Sequence, residues 1–285
     1  MVGMTTMESP ERWRNHGPMS APGAGSLNFD GLPVDVPALC RIAQGLLIHS
    51  DWIAAYGVDE SQFRTVSRET LPMAGRLRQI AELDESALTT ERAPDRRAVG
   101  TCRDYALMLC GMLRQQGVPA RVRCGFAAYF KRDWEDHWIC EYWHDGRWCR
   151  ADAQLDRIIA PRLDIGFDLT DLPDDMFITA GEAWRRCRAG EADPMAFGHG
   201  SQASGLWFVR VNVVRDHHSV NGRETSDWDR WRQATAAHHT LSESECAETD
   251  EIAACPAAPW AEPRPPWLAP MSLSALTWPP SVPEA

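Results

Sequence analysis

One run constrains the fold more than any other: Gly100-Thr101-Cys102-Arg103-Asp104-Tyr105, continuing to Gly117-Val118-Pro119-Ala120-Arg121. Thr101 and Asp104 stand at the spacing of a capping box, in which each side chain accepts the other residue's backbone N–H. Tyr105, Ala106, Leu109, Met112 and Leu113 then recur at helical intervals. Gly117 supplies a stop and Pro119 bars continuation. The segment predicts a helix over 102–116 followed by a strand over 120–130. Cys102 falls in the first turn, where unpaired N–H groups and the helix dipole favour an anion, so its thiol is expected to be acidified. Cys110, two turns further on, lacks that position and reads as structural.

A thiol nucleophile needs a base, and the next segment offers one. Asp136-His137-Trp138-Ile139-Cys140-Glu141-Tyr142-Trp143 has the aromatic and β-branched content of a strand. Asp145-Gly146 is a favoured two-residue hairpin turn, and Arg147 to Asp152 returns. That turn sets His144 opposite Arg147, hence Glu141 opposite Arg150 as a structural ion pair, and Ile139 opposite Asp152. His137 shares a face with Ile139, which places Asp152 one diagonal step from His137, within hydrogen-bonding reach. A Cys102–His137–Asp152 set follows: thiolate attack on a carbonyl, His137 holding and returning the proton, Asp152 orienting the ring. The Cys102 N–H is one candidate oxyanion donor, and the second stays unnamed.

Elsewhere the chain is organised simply. Residues 1–26 and 233–285 are expected to be disordered, and 27–232 to form one domain. The C-terminal part is acidic, then proline-rich, with nine of the chain's 20 prolines in its last 30 residues. Trp260, Trp267, Trp278 and His238-His239 lie there. It holds seven acidic residues against one basic, so the rest of the chain carries −5 of the net charge of −11. Helices are expected over 36–56, 71–83 and 179–188, and a strand over 206–214. Helices first and antiparallel strands later indicate an α+β fold. His217-His218 reads as a solvated pair near a strand end, and Gly198-His199-Gly200 as a loop.

The nine cysteines contain no CxxC pair and no zinc-ligand spacing, and their odd number argues against a disulfide framework. No metal or cofactor is implied. The acidic balance speaks against nucleic acid and anionic membrane as partners. With no apolar run of membrane-spanning length and no export signal, a cytoplasmic protein is the expectation.

The Cys102, His137 and Asp152 segments resemble the transglutaminase-like superfamily, whose core is papain-like. The resemblance rests on Cys102 at a helix start, the Gly117-Val118-Pro119-Ala120-Arg121 turn, the Gly125-Phe126 pair, His137-Trp138, and Asp152 four residues beyond Trp148. It covers about 95–165. Leu46-Leu47-Ile48-His49, Gly181-Glu182-Ala183-Trp184, Val214-Arg215-Asp216 and Trp228-Asp229 look like a bacterial subgroup of it. It implies N-terminal helices, with the nucleophile helix packed on an antiparallel sheet. It also implies a cysteine enzyme that forms a thioacyl intermediate from a peptide, protein or small amide or thioester, then passes the acyl group to water or an amine. Trp52, Trp134 and Trp138 are candidates for lining the acyl site. The alternative is a non-catalytic interaction module that keeps the fold. The oligomeric state is left open.

Overall fold

The computed structural model describes residues 9–25, 27–63, 72–130, 132–200, 203–224 and 240–258. Asp35 caps the first helix, α1 (Val36–Leu46), by accepting the Ala38 N–H at 2.9 Å. The helix expected over 36–56 ends there. Leu47–His49 instead forms β1, parallel to β2 (Ala98–Gly100), and Ile53–Tyr56 is a 3-10 turn. Ile48 and Val99 gain a shared apolar cluster by this pairing, which the helical spacing of Ile53 and Tyr56 conceals. Helices α2 (Met73–Leu83) and α3 (Cys102–Gln115) follow, the latter buried from Arg103 to Arg114.

The main sheet is built on β3 (Ala120–Ala127) and β4 (Trp134–His144), antiparallel with Ala120 opposite Tyr142 and Gly125 opposite His137. Strand β5 (Arg147–Ala151) returns along β4 through the Asp145-Gly146 turn, both residues at positive φ, with Glu141 opposite Arg150 as expected. β6 (Phe177–Thr179) pairs with the far edge of β3 and runs directly into α4 (Ala180–Arg188), capped by Thr179. The expected loop at Gly198-His199 contains β7 (Phe197–His199), which pairs with the start of β4 and with β8 (Ala203–Ser204).

The expected strand over 206–214 is a helix, α5 (Leu206–Val220). Its valines favour a strand, but every residue from Trp207 to Val220 is buried, so no polar face marks the helical period. α5 also closes the edge of β3 that β6 leaves uncovered: Ser219 Oγ donates to the Val122 carbonyl at 2.7 Å, and Asp216 accepts the Cys124 N–H at 2.9 Å. His217 and His218 are buried in this helix, not solvated. His217 Nδ1 lies 2.8 Å from the Pro256 carbonyl.

The expectation of unstructured ends is corrected at both. Trp13 is buried, donates to the Val220 carbonyl at 3.0 Å and packs edge-on against Trp148. The Arg121 guanidinium sits 4.6 Å from the Trp13 ring and 4.1 Å from the Trp148 ring. Past the domain boundary expected at 232, α6 (Glu243–Ala254) packs on α4 and α5. There Glu248 and Thr249 take the buried Arg210, and Asp250 accepts the Trp184 indole N–H at 2.7 Å. Trp228-Asp229, His238-His239, Trp260, Trp267 and Trp278 lie outside the described residues.

A capping box opens α6, with Ser242 accepting the Glu245 N–H at 3.3 Å and Glu245 accepting the Ser242 N–H at 2.8 Å. Ser242→Ala is therefore expected to cost about 1 kcal/mol in thermal unfolding of the full chain. A loose tail would show no change. No helix among the described residues is long and apolar enough to cross a membrane.

Candidate active site

The first turn of α3 is held by a buried ionic cluster. The Asp104 carboxylate accepts the Thr101 N–H at 2.8 Å and pairs with Arg76 at 3.0 Å and Arg103 at 2.9 Å. Burial opposes its charge, but the two guanidiniums outweigh that and keep it below the usual carboxylate range. A side chain at Gly100 would meet the Asp104 carboxylate at 3.0 Å, so the capping box requires glycine-sized bulk there. Arg76 comes from α2, far in sequence, and no local signal marks it.

This places Cys102 at the first helical position, whose N–H has no partner within the helix. His137 and the Trp138 backbone N–H both act on its thiol in favour of the thiolate. His137 Nε2 lies 2.9 Å from Asp152 Oδ2, which leaves Nδ1 as the ring nitrogen for the thiol. An ionised carboxylate only accepts, so Nε2 carries the proton. The three residues that the sequence selects are thus brought together in the order Cys102–His137–Asp152. His137 and Asp152 are about 2% and 1% exposed.

Partners that no sequence motif indicates complete the set. Tyr129 Oη donates to Asp152 Oδ2 at 2.9 Å, and the Gln154 N–H donates to Oδ1 at 2.8 Å. The Tyr129 and Phe130 rings lie edge-on to His137, with centroids 5.8 and 4.9 Å away. Both stand just past β3, in a stretch without periodicity, so nothing in the local pattern singles them out.

Electrostatics correct one expectation. Burial disfavours a charged His137, but Asp152 overrides it and raises its pKa to about 10. For Cys102 the largest effect is burial, which pushes the thiol up rather than down. The His137 hydrogen bond and charge and the Trp138 N–H pull it back, while Asp136 adds to the rise. The acidity of this thiol therefore rests on His137 more than on its helix terminus.

The three tryptophans separate. Trp52 is half-buried and packs with the cluster of Tyr129, Phe130 and Ile139, the His137 face of the sheet. Its turn is tied to the residues before Cys102 by the Ser50 N–H donating to the Gly100 carbonyl at 3.0 Å. Trp138 is buried in the core against α3, in the cluster that Cys102 packs on, and its backbone N–H favours the thiolate. Trp134 stacks on Phe197 in the cluster under α4 and α5. Among the described residues no group of three or more His, Cys, Asp or Glu is placed to hold a metal ion.

Residues 81–153 match the family model of the transglutaminase-like superfamily, a span that runs from the end of α2 to the residue after Asp152. No curated protein matches the chain. Among solved structures, a candidate cysteine protease from Cytophaga hutchinsonii is similar at 17% identity over 52% of this chain and 50% of that one, with a TM-score of 0.19. The chain thus spans about half the length of that protein. In this α+β chain, with α3 packed on an antiparallel sheet, the segment 81–153 is thus similar to the transglutaminase-like superfamily.

Proposed function

We propose that this chain is a cysteine-dependent acyl-transfer enzyme acting on an amide or thioester carbonyl. The observation that carries the reading is the buried relay from the Cys102 thiol through His137 to Asp152, with a 2.9 Å Nε2–Oδ2 contact, at the start of a helix. His137 holds the proton taken from Cys102 as the imidazolium, and the Sγ thiolate attacks the carbonyl carbon. The oxyanion then develops beside the Cys102 N–H. His137 returns the proton to the departing amine or thiol, the C–N or C–S bond breaks, and a thioester to Cys102 remains. Water or an amine, deprotonated by His137, attacks the thioester and regenerates the thiol, giving hydrolysis or amide transfer. Asp152 keeps the imidazole in the tautomer that this sequence of transfers needs.

Intact-mass analysis after brief exposure to p-nitrophenyl acetate tests the reading. A single acetyl adduct mapping to Cys102 is expected, absent in Cys102→Ala. It should form more slowly in His137→Ala, where the thiol loses the group that lowers its pKa. An adduct on the exposed Cys255 alone, or equal rates in wild type and His137→Ala, would overturn it.

A further inference from the structure

Strand β4 is paired unevenly along one edge. β7 reaches it at Trp134 and Glu135, and β5 reaches it from Cys140 to His144. Between them, on the stretch that carries His137, no described strand pairs with that edge. The Asp136 side chain on that stretch is held from α5. Asn212 Nδ2 donates to Asp136 Oδ1 at 2.8 Å, the Arg215 guanidinium lies 3.4 Å from Oδ2, and the same Arg215 nitrogen donates to Asn212 Oδ1 at 2.8 Å. Asn212 and Arg215 are both fully buried, so this closed ring of three side chains sits in a low-dielectric interior.

The ring's chemistry is costly unless it serves something. A partly buried carboxylate next in sequence to His137 also bears on the thiol: Asp136 opposes ionisation of both Cys102 and Cys124. An uncompensated negative charge there would oppose thiolate formation, since like charges at short range in a dry site repel strongly. We propose that Asn212 and Arg215 form a clamp that fixes Asp136 and neutralises it. Asp136 thereby anchors the His137 segment of β4 without setting an open negative charge against the Cys102 nucleophile. In this assignment, which rests on the proposed function, Asp136, Asn212 and Arg215 are positioning residues.

Among the described residues, the other charged or titratable groups around Cys102 include Tyr129, which hydrogen-bonds Asp152. β4 supplies His137, with Asp152 behind it, and β3 supplies Cys124. Arg103 of the same helix is turned to Asp104 and to the Glu224 carbonyl. The turn beside Gly100 carries His49 and Asp51. None of these changes in the test below.

The experiment follows the pH dependence of Cys102 alkylation by iodoacetamide in the full chain, read by peptide mass. Asp136→Asn removes the negative charge and leaves Arg215, so the midpoint is expected to fall by about one unit, roughly tenfold faster alkylation at a fixed pH below it. Arg215→Gln leaves Asp136 uncompensated, and the midpoint is expected to rise. The double variant should return near wild type. A purely structural clamp would change thermal stability in all three variants and leave the midpoints together, and that result, or a rise in Asp136→Asn, overturns the proposal. Should either single variant fail to fold, the other still decides, because each has its own sign. The readout needs no acyl substrate: a shifted midpoint without any acetyl adduct would sink the enzyme reading alone. An adduct with an unmoved midpoint would sink the clamp alone.

Discussion

Asp152→Asn is expected to slow acetylation of Cys102 by p-nitrophenyl acetate about 10^3–10^4-fold, the loss that follows when a triad histidine is held in the wrong tautomer. The surroundings of Asp152 dictate which way the new amide turns. Oδ1 accepts the Gln154 backbone N–H at 2.8 Å, and that donor has no alternative, so the amide oxygen must take this place. The amide nitrogen then replaces Oδ2 and faces His137 Nε2, 2.9 Å away. The Tyr129 hydroxyl rotates from donor to acceptor, but the imidazole must accept at Nε2 and move its proton to Nδ1, where it can no longer take one from the thiol. The pH profile moves too. In the wild type Asp152 outweighs burial and holds the imidazolium up to about pH 10, while with the carboxylate gone only Cys102 opposes burial and the alkaline limb moves to lower pH. The same linkage has a stability sign. A histidine whose folded pKa is raised stabilises the fold fully below its ordinary value of 6.5, and the contribution is lost as pH rises through about 10. Thermal midpoints of the wild type should therefore decline over that window more than those of Asp152→Asn. A variant acetylated within tenfold of wild type would remove Asp152 from the mechanism.

What the sequence can express is whatever local geometry decides. The capping box and the Gly117 stop set the limits of α3 and so put Cys102 at its start. The Asp145-Gly146 turn admits one register, and from that register alone His137 and Asp152 fall on one face. Glu141–Arg150 follows from the same count, yet the pair is only part of what forms: Glu141 also takes Arg121 and Arg123 at 2.8 Å, from a strand whose pairing partner no short motif announces. The failures share a cause. α5 is surrounded by protein, so its pattern has no solvent face to reveal a period of 3.6, and its valines point to the wrong element. Composition consigns Trp13 and α6 to disordered ends, because it cannot register that Trp148, Arg121, Trp184 and Arg210 wait for them. Tyr129, Arg76 and Arg215 act on the site through contacts with residues distant in sequence or outside any periodic element. The acidity expected of Cys102 fails for the same reason, because burial is a property of the assembled site.

Gly125→Ala is expected to destabilise the protein by about 4 kcal/mol or more, beyond the range of ordinary core substitutions. Gly125 pairs with His137 on one side and Thr179 on the other, and its backbone is not in a region that demands glycine. The demand is for space. A Cβ there would lie 2.2 Å from the Ile178 carbonyl oxygen, 2.7 Å from the Phe177 ring and 3.0 Å from the Thr179 Cα. The nearest obstacle is strand backbone, so no side-chain rotation relieves it, and β6 must leave β3. Three pairings go with it, Gly125–Thr179, Phe126–Ile178 and Ala127–Phe177. Thr179 is also the cap of α4, whose Trp184 is fully buried between α5 and α6, so the loss is carried into the second core. Gly166, where an added methyl would meet nothing within 4 Å and φ is not positive, makes Gly166→Ala the matched control, expected within about 0.5 kcal/mol of wild type in urea unfolding. The glycine of the Gly-aromatic pair is thereby explained by the approach of β6, not by the chemistry of His137 across from it. Cys102 acetylation in Gly125→Ala should persist at temperatures where the variant is still folded. A Gly125→Ala protein that unfolds at the wild-type urea concentration would mean that β6 does not lie against β3 in solution.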